Sequence, residues 1–209
     1  MNRRDMLCGG AAAAIAMAPG ILRAGAAHGC YRAEANKVRC QVGFPDAPYI
    51  EPQECRADCW ANCLAYMLRG FGAKISVGSV LWRMEQEGAC RNGDDEAQLM
   101  AASGKWIDDT GRTFWVSARR LQDIRHGTFS TEEFQPLVNA LSARPLIAGS
   151  PGHSMVLTEM AYVDAPMVMM RQEELTFRDP WTGTSNLRRL AYEETPERMF
   201  AIDIRIRRM

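Results

Sequence analysis

Histidine is scarce in this chain, with three in 209 residues. Net charge is absent too, because 25 basic residues are matched by 25 acidic ones. No basic block or stripe is present, which argues against nucleic acid as a partner, and no Lys/Arg-rich amphipathic helix points to a membrane surface. No internal repeat and no low-complexity segment follows the amino-terminal region, which excludes a solenoid. Cysteine is neither absent nor dense: seven residues are too few for a disulfide-built miniprotein and too many to be incidental. Cys55, Cys59 and Cys63 recur every four residues. Zinc sites use tighter Cys pairs with a second Cys or His pair, and neither is present. No metal and no cofactor is expected. What remains, 47% hydrophobic and 24% charged, suits one globular domain or two small lobes sharing a core.

Residues 1–26 read as an export signal rather than as part of the fold. Arg3 and Arg4 precede a mildly apolar, Ala/Gly-rich stretch from Leu7 to Leu22, and Ala24-Gly25-Ala26 reads as a cleavage site. Paired arginines before a weak apolar run indicate twin-arginine export, hence a periplasmic or secreted bacterial protein. The run is too short and too rich in glycine to span a bilayer well, so no integral span is expected in the mature chain. Residues 27–52 read as a loop-rich leader broken by Pro45, Pro48 and Pro52. Cys30 and Cys40 flank it at a spacing that suits a local bridge. The leader is too short for a separate inhibitory pro-domain. Residues 53–209 form the functional domain.

After Cys59 the pattern turns helical. Ala61, Leu64, Ala65 and Leu68 recur at three- and four-residue steps, and Gly70 and Gly72 stop the run. A second helix is expected over 77–87 with Ser76 as its N-cap, and a weaker third over 94–106. The second half reads as strands: 112–118, 145–149, 154–163, 167–170, 175–177 and the alternating C-terminus. The capping box Ser130-Thr131-Glu132-Glu133 opens a helix among them. Short turns favour antiparallel pairing. The fold class expected is therefore α+β.

Cys59 falls in the first turn of its helix, where unpaired N–H groups and the helix dipole favour a thiolate. A Cys nucleophile needs a base. His153 lies in the Gly/Pro turn Gly149-Ser150-Pro151-Gly152 between two apolar strands, a rigid place from which to aim an imidazole. His126 precedes Gly127 and reads as a solvated loop residue. The base needs an acceptor that fixes its tautomer. Asp179 ends a strand that Pro180 prevents from continuing, and Trp181 can cover the His–Asp bond.

The order Gln53, Cys59-Trp60-Ala61, Gly152-His153, Asp179-Pro180-Trp181 resembles the papain-like cysteine peptidases, in particular their compact bacterial branch. The resemblance rests on three short motifs. It departs from the plant and lysosomal members in having Arg56-Ala57-Asp58 before the nucleophile and Asp rather than Asn as acceptor. It implies a two-lobed papain-like fold, with an N-terminal helical lobe, a C-terminal antiparallel β lobe and a cleft between them. It implies that Cys59 attacks, His153 moves the proton, Asp179 orients His153, and the Gln53 amide with the Cys59 N–H forms an oxyanion hole. By the same likeness Cys55 or Cys63 bridges to Cys90, which leaves one cysteine over. The activity implied is hydrolysis of peptide bonds in a peptide or protein substrate. Two rivals share the residues: an amidase or acyl transferase acting on cell-wall peptides or isopeptides, and a binding protein with the triad idle.

Overall fold

The computed structural model describes residues 27–34, 37–85, 94–165, 169–183 and 185–209. The expected export signal and Cys90 lie outside them. The long strand β7 organises the rest. In chain order the elements are β1 (Ala27–Glu34), β2 (Lys37–Gly43), α1 (Cys59–Gly70), α2 (Val77–Arg83), α3 (Asp95–Ala101), β3 (Gly104–Ile107), β4 (Thr113–Arg120) and β5 (Ile124–Arg125). They continue with α4 (Thr131–Ala143), β6 (Leu146–Ser150), β7 (His153–Ala165), β8 (Met169–Arg178), β9 (Leu187–Ala191) and β10 (Arg198–Arg208).

The strands form one 10-stranded sheet in the order β1-β2-β7-β6-β10-β4-β3, with β8 joining β7 to β9 and β5 on β10. Every strand pairing described is antiparallel; short turns account for β1–β2, β3–β4, β6–β7 and β7–β8, whereas β2–β7 and the pairings of β10 join strands distant in the chain. Helices cover both faces. Leu146, Ala148, Met155, Leu157 and Ala201 pack with Phe134, Leu137, Val138 and Leu141 of α4. Their neighbours Ile147, Val156, Phe200 and Ile202 pack with Ala61, Leu64, Ala65 and Leu68 of α1. Successive residues of a strand point to opposite faces, so the two clusters lie on opposite sides of the sheet.

This corrects the two-lobed papain-like architecture expected from the motifs. Among the described residues there is no helical lobe set apart from a β lobe, but one open sheet with α1, α2 and α3 on one face and α4 on the other. The physical reason is in the central strands. Leu146-Ile147-Ala148 and Met155-Val156-Leu157 are apolar at every position, and such strands must be covered on both faces. The alternation of apolar and charged residues at the C-terminus suggests a half-buried strand with a charged face, yet β10 is buried from Met199 to Ile204. Asp203, fully buried, takes Arg144 at 2.9 Å and Arg205 at 2.8 Å, so its charge is paired inside the layer.

The leader also differs from expectation. Ala27–Glu34 and Lys37–Gly43 form a hairpin that joins the sheet through β2 and β7, and Cys30 and Cys40, directly opposite each other, form the local disulfide. Among the described residues of this segment, the stretch around Pro45, Pro48 and Pro52 is loop. That loop is tied down by Tyr66 donating to the Pro48 carbonyl at 3.0 Å and by Arg178 donating to the Ala47 carbonyl at 2.9 Å.

Local signals fare better. Ser76 caps α2 as expected, accepting from Ser79 N–H at 3.0 Å. Both bonds of the Ser130–Glu133 capping box are made. The third helix is shorter than expected, because Gly104 to Ile107 leave it as an edge strand on β4. The two strands expected over 167–177 are one, β8.

Candidate active site

Cys59 is the first residue of α1, and His153 is the first residue of β7. The turn before His153 is steeply constrained. Gly149 sits so close to the next strand that a Cβ on it would lie 2.2 Å from the His153 carbonyl oxygen. Gly152 has φ +81, which L-residues with side chains seldom adopt. With Pro151 fixing its own φ, the turn holds His153 at one position relative to β6.

His153 Nε2 hydrogen-bonds Asp179 Oδ1 at 3.0 Å. Asp179 is buried at the end of β8, and it also accepts from Trp181 N–H at 2.9 Å and from Arg188 at 3.3 Å. Burial alone would raise its carboxyl, but the bonds from His153, the Trp181 N–H and Arg188 outweigh this and hold it below the ordinary carboxylate value. Trp181 stands edge-on to the His153 ring with centroids 5.7 Å apart. The other ring nitrogen, Nδ1, is buried and has no hydrogen-bond partner.

Gln53 lies against the same loop. Its N–H donates to the Pro180 carbonyl at 2.8 Å, its side chain is buried, and its Oε1 makes no hydrogen bond. Asn186 completes this corner. Its carbonyl accepts from Asp179 N–H at 2.9 Å, and its side chain exchanges two bonds with the Ile50 backbone.

Cys59 is brought to the start of β7, but its proton goes elsewhere. The Ser154 N–H donates to Cys59 Sγ at 3.4 Å, while the thiol itself donates to Asp95 Oδ2 at 3.3 Å. Ser154 Oγ donates to the same carboxylate oxygen at 2.9 Å. Cys59, Ser154 and Asp95 are all buried. The His153 ring lies near enough to bear on the Asp95 charge, although it makes no hydrogen bond with Cys59.

The thiolate expected at the helix tip is therefore not the resting form. Burial first, and then the Asp95 charge, push the Cys59 thiol up to about 12; the N–H groups of Ser154 and Trp60 pull the other way and lose. Burial likewise raises the Asp95 carboxyl above its ordinary value, against the bonds from Ser154 and Cys59.

Sequence reasoning missed Asp95, Ser154 and Arg188. Asp95 carries no signal of its own in the sequence: Asp94 caps α3 by accepting from Ala97 N–H at 3.1 Å, and a second carboxylate in the first turn suits the helix dipole. Of the other cysteines, Cys55 is disulfide-bonded, whereas Cys63 is free and buried one turn beyond Cys59. Cys63 is thus the cysteine left over. His126 is structural, bonded to the Thr195 carbonyl at 2.8 Å and stacked on Tyr192. No group of His, Cys, Asp and Glu that could hold a metal occurs among the described residues, and no helix there is long and apolar enough to cross a membrane.

A cavity of about 540 Å³ opens between the N-terminus of α3 and the β6–β7 turn. Asp95, Gly152 and Arg198 are in its wall. No protein-family model, curated protein or solved structure matches this chain.

Proposed function

We propose that the protein is a cysteine-type hydrolase acting on peptide bonds, exported to the periplasm or beyond. The observation that carries the reading is His153: one nitrogen is held by a buried carboxylate and the other is buried without a partner, on the strand whose next N–H bonds the Cys59 sulfur. That is the preparation a general base needs, with the tautomer set from behind and an acceptor left in front. In the reaction Cys59 gives its proton to His153 Nδ1 and attacks the acyl carbon. The imidazolium is stabilised by Asp179 and returns the proton to the leaving amine. Water then hydrolyses the thioester with His153 again as base. Gln53 and the Cys59 N–H serve the developing oxyanion. The motif likeness to the papain-like cysteine peptidases supports this reading through the residues themselves.

A specific observation favours a second reading, the idle scaffold: the thiol is buried and bonded to a carboxylate. Alkylation separates the two. Cys59 in the native protein should react with iodoacetamide at neutral pH at least tenfold faster than in His153→Ala, and turnover of a peptide library should vanish in Cys59→Ala. Gln53→Ala should lower kcat by about 10²–10³. Equal, slow alkylation with and without His153 would favour the binding protein. Release of amine from cell-wall fragments alone would move the assignment to an amidase.

A further inference from the structure

We infer that Asp95 is a positioning residue that keeps Cys59 as a thiol committed to a carboxylate in the resting protein, and that the nucleophile is armed when this bond is released and the sulfur passes to His153. The inference rests on the hydrolase reading and extends it to how the site is held in reserve.

Three distances define the arrangement. Cys59 donates to Asp95 Oδ2 at 3.3 Å, Ser154 Oγ donates to the same oxygen at 2.9 Å, and the Ser154 N–H reaches the sulfur at 3.4 Å. The three residues close a ring joining α1, α3 and β7, and none of them is exposed. Asp94 supplies the side-chain cap of α3, so the Asp95 carboxylate is not committed to capping. A carboxylate so placed opposes thiolate formation twice: its charge repels the anion, and it holds the proton donor it needs. The imidazole nitrogen that would take the proton has nothing bonded to it. The site therefore has an acceptor without a donor, and a donor on the wrong acceptor.

Asp95 is also in the wall of the cavity between α3 and the β6–β7 turn, so a molecule entering there meets the residue that restrains the thiol. On release, the S–H bond breaks, the proton moves to His153 Nδ1, and the electron pair stays on sulfur. Asp95 keeps its charge and its bond from Ser154. The other charged and titratable groups of the cluster are His153 on β7 and Asp94, which bear on Asp95, and Cys63 one turn along α1, on which Cys59 and Asp179 bear.

The test is the pH profile of iodoacetamide alkylation of the full chain, with the adduct located on Cys59 by peptide mass. Four proteins are compared: wild type, Asp95→Asn, His153→Ala and the double variant. Asp95→Asn should lower the midpoint by about one unit or more, since it removes a like charge at contact distance. At neutral pH its rate should rise about threefold, a tenfold gain in thiolate being partly offset by the lower nucleophilicity of a less basic sulfur. The gain should be larger with His153 than without it: loss of the like charge acts in both backgrounds, and only the part that needs the passage to His153 is missing from the double variant compared with His153→Ala. Asp95→Glu, which keeps a carboxylate, should restore much of the wild-type profile. An unchanged or raised midpoint in Asp95→Asn overturns the inference, as does a gain of equal size with and without His153. A His153→Ala profile identical to wild type overturns the hydrolase reading instead. Should Asp95→Asn not fold, the infrared S–H stretch of the wild-type protein decides, assigned by its loss in Cys59→Ser. A strongly hydrogen-bonded band through neutral pH supports the inference, and its absence overturns it.

Discussion

Gly149→Ala probes the link between packing and chemistry most directly. The added Cβ would meet the His153 carbonyl oxygen at 2.2 Å and Phe200 Cζ at 2.9 Å. Ordinary carbon–oxygen contact needs roughly 1 Å more than the first of these, and backbone cannot yield as the tip of a side chain can. β6 has no free side on which to relieve the clash, since Gly149 pairs with Ser154 on β7 and with Phe200 on β10. Overpacking of this kind costs about 1–3 kcal/mol, and this position belongs at the upper end. The strand that must move carries His153 at its tip, and a displacement of about 1 Å at a reacting group costs about 10²-fold in rate. Urea unfolding should therefore show a midpoint lowered by an amount equivalent to about 3 kcal/mol, and the His153-dependent part of Cys59 alkylation should fall by an order of magnitude or more. Gly152→Ala is the control. No atom lies within 4 Å of its added Cβ, so only the left-handed φ is charged, about 1–2 kcal/mol. A Gly149→Ala protein as stable as Gly152→Ala, with alkylation unchanged, would refute the claim that close approach of β6 to β7 positions the base.

Two further outcomes test the frame around the site. Asp108 is buried and accepts from the backbone N–H groups of Lys74, Thr110 and Arg112 and from the Arg112 guanidinium. Burial would raise its carboxyl, but these bonds and that of the Thr110 hydroxyl hold it well below the ordinary value. Its contribution is therefore complete above about pH 4, the unfolded value, and is lost as pH falls below that. Asp108→Ala should cost about 3 kcal/mol at neutral pH and flatten the acid side of the stability–pH curve, read by denaturant midpoints. Ser130→Ala removes the Oγ that accepts from Glu133 N–H at 3.3 Å and should cost about 1 kcal/mol in the same assay, with Cys59 alkylation unmoved.

What could be read from the sequence was what is decided locally. Ser76, Ser130 and Glu133 announce helix starts through bonds three residues long, and the structure makes them. The His153–Asp179 pair was legible because a Gly/Pro turn and an Asp-Pro stop each fix a strand end. The β1–β2 hairpin was not legible. Its support comes from β7, well over a hundred residues away, and its own residues alternate too weakly to declare a buried face. The continuous apolar runs of β6 and β7 were recognised as strands, but their meaning, cover on both faces, was not drawn, and the two-lobed expectation failed there. Asp95 was invisible for a related reason. At the start of a helix an acidic residue always has an adequate local excuse. Only the docking of α3 against α1 and β7 turns that carboxylate onto a sulfur.

The candidate site depends on register as much as on residue type. β7 and β8 pair Val156 with Arg178 and Leu157 with Phe177, but beyond Thr158 the partners shift by one, Glu159 facing Thr176. Thr158 is thus an extra residue, a β-bulge. Its effect is visible in the cores. Leu157 and Met160, three apart, would face opposite sides of a regular strand, yet both pack in the cluster under α4. The bulge lets the outer half of β7 keep β2 and α4 while the inner half keeps Ser154 toward α1. With the inner register fixed at Val156–Arg178, Asp179 just past the end of β8 falls level with Met155, on the same side of the sheet as His153 two residues away, and the imidazole reaches it diagonally at 3.0 Å. A slip of one residue would turn Ser154 away from Cys59 and send His153 to the other face. The same bulge is held from outside, because Gly43 packs so tightly on the Thr158 carbonyl that a Cβ there would lie 2.1 Å from it, and Phe44 N–H donates to that oxygen at 2.8 Å. The hairpin that the sequence concealed is therefore part of what aligns the imidazole with its carboxylate.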